Sequence, residues 1–220
     1  MNGDVAGRDI SEEMLKEKAG DLGADKRSSL KIEYTSHTIL VGEQRQKLMA
    51  VADYIHSTQQ LAGNSSSILQ DLKIVFPRGA VDQITGTAVE TILKDYHSQC
   101  NDRLKLVLRR TSPTEGCIPW HVDGGYSRGV VQYTLNDDNL YAGGRLCFFS
   151  EDMGLLVPRR PAGTVTVHSK EMHGVSKLLS GVRYVLFVVD ESNGLGGETA
   201  NIVELTSGQL AHMLSPLSKW

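Results

Sequence analysis

Two histidines and an aspartate in the second half of the chain have the types and spacing of metal ligands. His121 and Asp123 stand two positions apart in PWHVDGG. Side chains at i and i+2 of an extended segment point to the same side, so both can reach one cation. His173, in EMHGV, is the candidate third ligand. Two imidazoles and one carboxylate leave coordination positions open, which is typical of non-haem Fe(II) sites.

Arg183 is the second feature with chemical meaning, because it interrupts the apolar run GVRYVLFVVD. A strand this apolar is expected to be buried on both faces. Alternation places Arg183 on the side of Val185 and Phe187, with Tyr184 on the other side. A buried guanidinium is costly without a counter-charge, and its planar fork suits a carboxylate. We therefore expect Arg183 to bind a small carboxylate.

The elements that position these residues form short β-rich runs after residue 104. Seven runs broken by Gly, Pro, Asn and Asp predict an antiparallel barrel or jelly roll; they are LKLVL, CIPWHV, GVVQYTL, RLCFF, GLLVP, GTVTVH and VRYVLFVV. Before them, the patterns predict helices over 42–63 and 79–100, and strands within 29–40 and 72–76. The predicted fold class is α+β, a double-stranded β-helix (jelly roll) with N-terminal helices packed on its sheet.

The predicted organisation is a flexible arm over residues 1–29 and a single domain over 30–220. Within that domain we expect a support layer of helix and strand over 30–103. The jelly-roll core follows over 104–190, and a C-terminal extension over 191–220.

Composition narrows the classes of function. The chain has 220 residues and a formal net charge of −3, so it lacks the basic surplus typical of nucleic-acid binding. No run reaches the ~20 apolar residues that span a bilayer, and the polar start predicts no signal peptide. Three cysteines without a CxxC spacing indicate a reducing compartment. We expect a cytoplasmic or nuclear protein that is not membrane-bound.

The same residues resemble the Fe(II)/2-oxoglutarate-dependent dioxygenase superfamily, in its prolyl 4-hydroxylase-like branch. The resemblance follows ordered blocks over roughly 104–190: the His-x-Asp motif, YTLN, GGRLCFF, PAGTVTVH, HGV and GVRY. The last histidine and the basic residue are separated by 183 − 173 = 10 positions, the spacing that this family uses.

The resemblance implies roles for individual residues. His121, Asp123 and His173 would bind iron, and Arg183 would hold the distal carboxylate of 2-oxoglutarate. Thr134 aligns with a position often occupied by tyrosine, which assists that carboxylate. The neighbouring Tyr133 should face away from the pocket. Nucleic-acid-demethylating relatives carry a second arginine where this chain has Val189, so a repaired-base substrate is not expected.

The implied activity is hydroxylation of an unactivated C–H bond with release of succinate and CO2. Its cofactors would be Fe(II), 2-oxoglutarate as cosubstrate and O2, with ascorbate as a possible reductant. The substrate would be a protein or peptide side chain, prolyl by resemblance, or a free amino acid or other small molecule. Two alternatives stay open: a non-catalytic jelly roll that binds a ligand or partner, and a cupin-like metal enzyme that does not use 2-oxoglutarate.

Four further residues are candidates for a substrate pocket. Tyr126 and Arg128 follow the His-x-Asp motif in a loop, where substrate contacts tend to lie. Trp120 has two interpretations, core packing or a pocket wall. Arg145, in GGRL, would contact a substrate or cap a strand edge. His168 lies on the predicted strand GTVTVH, just before His173, and could lie beside the metal ligands or face the substrate.

Overall fold

The structure is a computed structural model that describes residues 33–36, 39–64, 69–96, 104–113, 118–122, 130–150, 154–168, 171–190 and 202–217. The predicted arm over 1–29 lies outside the described residues, as do Asp123, Tyr126 and Arg128. None of the helices in the described ranges combines the length and apolar content needed to cross a lipid bilayer.

Seven strands form the larger sheet. In spatial order they are β1 (Glu33–Ser36), β9 (Thr164–His168), β5 (Val130–Thr134), β12 (Arg183–Asp190), β3 (Leu104–Thr111), β2 (Asp71–Val75) and β13 (Ile202–Glu204). Neighbours are antiparallel except β2 and β13, which run parallel. The extension after residue 200 thus returns to the edge of the large sheet.

A smaller sheet faces the larger one. It consists of β4 (Ile118–His121), β10 (Met172–Val175), β7 (Leu146–Ser150) and β8 (Gly154–Leu156), while β6 (Ala142–Gly143) pairs with β11 (Leu178–Ser180). Rings of Phe148 and His173 on the smaller sheet contact the ring of His168 on β9, so the two sheets enclose one interior. This arrangement is the predicted jelly roll, and the predicted fold class is confirmed.

Helices cover the outer face of the large sheet. The first, α1 (Gly42–Leu61), buries Leu48, Val51, Ala52 and Ile55 at helical spacing. These side chains share a core with Leu108 and other outward-facing residues of the sheet. Full burial of each large aliphatic side chain contributes about 1.5–3 kcal/mol, so this core fixes the sheet that carries the site.

One predicted helix is interrupted. The sequence predicts a single helix over 79–100, whereas the structure has α2 (Ala80–Thr85) and α3 (Val89–Asp95). Gly86 lies between them with φ of +68°, a left-handed conformation that ends α2. Its N–H bonds the carbonyl of Asp82 at 2.8 Å. The prediction was wrong here because the apolar spacing continues through a glycine that acts as a stop. The last helix, α4 (Ser207–Leu217), closes the described chain.

Candidate metal and cosubstrate site

His121 and His173 lie side by side inside the jelly roll. They are direct partners in the antiparallel register of β4 and β10, and their ring centroids are 4.3 Å apart. Residues directly opposite on antiparallel strands project to the same face, which here is the interior between the sheets. The predicted pair of imidazoles is therefore brought together, although the two residues are far apart in sequence.

Backbone carbonyls fix the tautomer of both rings. Nδ1 of His121 lies 2.8 Å from the carbonyl oxygen of Pro119, and Nδ1 of His173 lies 2.9 Å from that of Glu171. A carbonyl only accepts, so each Nδ1 carries the proton and donates it. Each Nε2 then has the lone pair that a metal ligand needs, in the second-shell pattern usual for metal-binding histidines.

Gly174 lets β10 approach β4 closely beside His173. A Cβ at this position would meet the carbonyl oxygen of Ile118 at 2.9 Å, closer than real Cβ atoms come. The glycine of the HGV motif is therefore required by packing, and it holds the two histidine-bearing strands together.

The third predicted ligand, Asp123, lies outside the described residues. Within the part of the chain that the structure describes, no group of three His, Cys, Asp or Glu side chains is arranged to hold a metal ion. The structure thus supplies two ligands, and the role of Asp123 stays a prediction. The same holds for Tyr126 and Arg128.

Arg183 begins β12 on the interior face and is 3% exposed. Tyr184 and Leu186 point into the helix-covered core, which puts Arg183 on the opposite side, as alternation predicts. Asn136 clamps the backbone on both sides: its amide donates to the carbonyl of Val182 at 2.8 Å, and its oxygen accepts from the N–H of Tyr184 at 3.0 Å. The backbone on both sides of Arg183 is thus held in place.

The guanidinium of Arg183 forms no ion pair with a carboxylate of the described residues. Burial lowers the pKa of Arg183 from its ordinary value because it disfavours the charged form. Tyr141 and Asp71 favour the charged form and Arg109 opposes it, but burial has the largest effect on this pKa. An arginine stays protonated in proteins even so, and the site keeps an excess of positive charge.

Asp71 is the carboxylate whose charge reaches Arg183, but Arg109 binds it. Nε and Nη2 of Arg109 donate to the two oxygens of Asp71 at 2.6 and 2.5 Å. Burial raises the pKa of Asp71, but the hydrogen bonds and charge of Arg109, with Lys73 and Arg183 contributing, lower it below its ordinary value. Asp71 lies on β2, two strands from β12, and is thus already in a two-point pair with another arginine.

Two polar side chains on the interior face of β5 have unmet hydrogen-bonding capacity. Thr134 is fully buried, and its Oγ1 has no hydrogen-bond partner among the described residues; the same is true of Oε1 of Gln132. Thr134 pairs with Val185, so it is a diagonal neighbour of Arg183 on the next strand. Orphaned polar atoms beside a buried cation fit a space that holds a polar, anionic molecule.

The resemblance to the dioxygenases implies a 2-oxo acid and a metal, and the residues present fit both. Two Nε2 lone pairs suit a divalent transition metal. A guanidinium with a buried hydroxyl beside it suits a carboxylate. Tyr133, predicted to face away, is fully buried on the helix side, where its hydroxyl accepts from the N–H of Leu40 at 3.1 Å.

His168 lies between the histidine pair and the large sheet. It is 2% exposed, its ring centroid is 4.5 Å from that of His173, and the ring of Phe148 packs edge-on against it at 5.2 Å. The side-chain nitrogen of Gln132 lies 3.2 Å from its Nε2. The sequence left its role open, and the structure makes it an interior neighbour of a candidate ligand.

Trp120 and Arg145, both candidates for a substrate pocket, contact other residues of the protein. Trp120 packs in a second cluster on the outer face of the smaller sheet, with Cys147, Phe149 and Met172. It points away from its neighbour His121, so these contacts favour the packing interpretation. Arg145 pairs with the carboxylate of Asp138 and donates to its carbonyl at 2.7 Å.

Tyr141 and Arg160 are buried, although no sequence signal predicts it. Tyr141 stands in a loop without periodicity, and no motif marks it. Arg160 follows Arg159 in a Pro-flanked turn that reads as solvated, yet it is 4% exposed and its Nε donates to Oγ1 of Thr166 at 3.0 Å. Its sequence neighbour Arg159 is the exposed residue of the two, and Arg159 forms an ion pair with Asp138.

Solved structures share this architecture, although no family model and no curated protein matches the sequence. A prolyl hydroxylase from Trichoplax adhaerens, in complex with a hypoxia inducible factor oxygen degradation domain peptide fragment, is similar with a TM-score of 0.52. The two sequences are 14% identical, and the match covers 87% of this chain and 99% of that chain. A prolyl 4-hydroxylase structure from Phytophthora capsici gives a TM-score of 0.50 at 18% identity, over 95% and 75% of the two chains.

A third similar structure is the non-heme monooxygenase ThoJ in a nickel complex, with a TM-score of 0.50 and 13% identity over 93% and 96% of the chains. At these identities the likeness lies in the fold. The chain has the jelly-roll fold of the Fe(II)/2-oxoglutarate oxygenases, prolyl hydroxylases among them, as its motifs predict.

Proposed function

We propose that this chain is an Fe(II)- and 2-oxoglutarate-dependent oxygenase that hydroxylates an unactivated C–H bond. One observation carries the proposal: a single interior holds two adjacent imidazoles, each with its Nδ1 bonded to a backbone carbonyl, and a buried guanidinium without an ion pair among the described residues. A structural reason accounts for either feature separately, whereas a metal with a carboxylate-bearing cosubstrate accounts for both together.

Each side chain has a stated task in this proposal. His121 and His173 bind the metal through Nε2, with Asp123 as the third ligand. Arg183 donates to the distal carboxylate of 2-oxoglutarate, and the hydroxyl of Thr134 donates a further bond. Iron with O2 supplies the oxidising power: 2-oxoglutarate is converted to succinate and CO2, and one oxygen atom enters the substrate C–H bond. The two sheets exclude water from this chemistry.

The proposed substrate is a peptide or protein side chain, prolyl in the first instance, or a free amino acid. Its support is the similarity in fold to prolyl hydroxylases, one of which is in complex with a peptide. The formal net charge of −3 gives no support to a nucleic-acid substrate. Screening peptides and amino acids by mass for the gain of one oxygen identifies the substrate, with ascorbate present as reductant.

The direct test is His173→Ala, with His212→Ala as the matched control because His212 is exposed on α4. Loss of an outer-shell partner of a metal ligand costs about 10- to 100-fold in affinity, so loss of the ligand should cost more. We expect His173→Ala to lose Mn(II) binding by anaerobic titration and succinate formation with Fe(II). His212→Ala should keep both. Full metal affinity and turnover in His173→Ala would refute the site.

A further inference from the structure

His168 is a third imidazole beside the candidate ligand pair. Its ring centroid is 4.5 Å from that of His173, close to the 4.3 Å that separates His173 from His121. It is 2% exposed and lies on β9 of the larger sheet, where it contacts His173 of the smaller sheet. Imidazole is a good ligand for divalent iron, cobalt, nickel, copper and zinc. A third ring at the spacing of the ligand pair therefore competes for the metal unless its nitrogen is held elsewhere.

Gln132 occupies a nitrogen that His168 would offer to a metal. Its side-chain nitrogen lies 3.2 Å from Nε2 of His168. An amide nitrogen only donates, so Nε2 accepts from it and the lone pair of Nε2 is taken. With the amide turned round, Oε1 accepts from an Nε2–H, and Nε2 then has no lone pair to give. In both orientations of the amide, Nε2 of His168 is withheld from the metal.

The contact between Gln132 and His168 is built into the interior. Gln132 is 4% exposed and stands opposite Thr166 in the register of β5 and β9, while the ring of Phe148 packs edge-on against His168. Oε1 of Gln132 is buried without a hydrogen-bond partner among the described residues. Buried polar atoms are almost always bonded, so packing alone does not explain an amide here. An apolar side chain would fill the same place without an orphaned atom, but it would not hold Nε2 of His168.

The separation of His168 from the metal matters for the proposed chemistry. Two imidazoles and one carboxylate leave coordination positions open, as an Fe(II) oxygenase requires. A third imidazole would fill one of these positions. In the described part of the chain, no three His, Cys, Asp or Glu side chains are arranged to hold a metal ion, although three imidazoles adjoin one another.

We propose that Gln132 is a positioning residue that binds Nε2 of His168 and so keeps this third imidazole off the metal of His121 and His173. The inference rests on the proposed function, because it concerns the same metal. It gives His168, whose role the sequence left open, a defined place beside the site and excludes it from the ligands.

The test counts the imidazoles bound to Cu(II) by pulsed EPR, in which each coordinated ring modulates the signal through its remote nitrogen. Wild-type protein should show two imidazoles. Gln132→Met, which keeps the length of the side chain and removes its hydrogen bond, should show three. The double variant Gln132→Met/His168→Phe should return the count to two. Gln83→Met is the matched control, because Gln83 is exposed on α2, and it should keep the wild-type count.

A third ligand should also tighten metal binding. Loss of an outer-shell partner of a ligand costs about 10- to 100-fold in metal affinity, so the gain of a ligand in Gln132→Met should raise the affinity for Co(II) by about 10-fold or more. Succinate formation should fall, because one open position is filled. The added His168→Phe change should reverse both effects, which it would not do for a merely damaged fold.

A count of two imidazoles in Gln132→Met overturns the role of Gln132, and so does a count of three in the wild type. Gln132→Asn, whose amide is shorter by one methylene, replaces the methionine variant if that variant lacks a cooperative unfolding transition in urea, and the same counts decide. A wild-type protein that shows no Cu(II)-bound imidazole overturns the proposed function itself. The two failures are therefore distinguishable.

Discussion

Asp138 anchors the loop that carries Tyr141, and it does so as a carboxylate. It is 2% exposed and pairs with Arg145, with Arg159 at 2.9 Å, and with the backbone N–H of Arg160 at 3.2 Å. Burial raises its pKa, but the hydrogen bonds from Arg159, Arg160 and Arg145 outweigh that and hold it below its ordinary value.

Because the pKa of Asp138 is lower in the folded protein than in the unfolded chain, the free energy of unfolding should fall at acid pH. The contribution of Asp138 is fully present above the unfolded pKa of about 3.9, and it is lost as pH falls through the lower folded pKa. Asp138→Asn should therefore destabilise the protein by about 1–3 kcal/mol at pH 7. Urea unfolding of both proteins should show this difference shrinking below about pH 4. A difference that stays constant down to pH 3 would contradict this role.

Residue types and spacing predicted the pair His121 and His173, which the register brings together, and the interior position of Arg183. The reason is that alternation and a charge inside an apolar run are local signals. Tyr141 and Asp71 carry no such signal. Their part depends on which loop and strand meet Arg183, and that is decided by the tertiary structure.

The elements meet through another polar link, which ties α1 to the strand of Arg183. The hydroxyl of Tyr184 donates to Asp53 at 2.7 Å, and Nε of Arg110 donates to the same oxygen at 2.7 Å. The acceptor, Asp53, lies on helix α1, whereas the two donors lie on strands β12 and β3. The helix is thereby fixed in register over the back of the site.

Loss of the hydrogen bond from Tyr184 to Asp53 should weaken the packing of α1 on the sheet without creating a cavity in the core. Tyr184→Phe is expected to lower the free energy of unfolding by about 0.5–1.5 kcal/mol, because Asp53 keeps Arg110 and solvent as partners. Tyr54→Phe, an exposed change on the same helix, should shift it by less than about 0.5 kcal/mol. Equal effects of the two changes in urea unfolding would show that the Tyr184 hydroxyl contributes no specific stability.

At the level of elements, periodicity predicted α1 and the strands of the large sheet well. It predicted one helix over 79–100, where the left-handed Gly86 ends α2. It did not predict β10 (Met172–Val175) as a strand, because the segment is short and contains His173 and Gly174. That strand exists because it pairs with β4 on one side and β7 on the other.

At the scale of the whole molecule, the two sheets enclose one interior that holds the candidate ligands His121 and His173 together with the buried Arg183. The jelly-roll class could be predicted from seven short runs and their turns. The charge balance of the interior could not, since Arg109 and Asp71 meet only across β3 and β2. We propose that Arg183 binds a ligand and is not part of a structural ion pair.

Arg183→Met tests this proposal, because methionine is neutral and apolar and its flexible side chain packs well in a core. Removal of a buried charge that has no ion pair among the described residues should leave the free energy of unfolding unchanged or raise it. Loss of a two-point hydrogen bond to the carboxylate should lower the affinity for the ligand by about 100-fold or more.

The decisive measurement is calorimetric titration of 2-oxoglutarate into Mn(II)-loaded wild-type and Arg183→Met protein without O2. We expect clear binding to the wild type and at least about 100-fold weaker binding to the variant, whose unfolding curve should show that it is folded. Equal affinities, or a variant destabilised by the about 3–5 kcal/mol typical of a broken buried ion pair, would contradict this proposal.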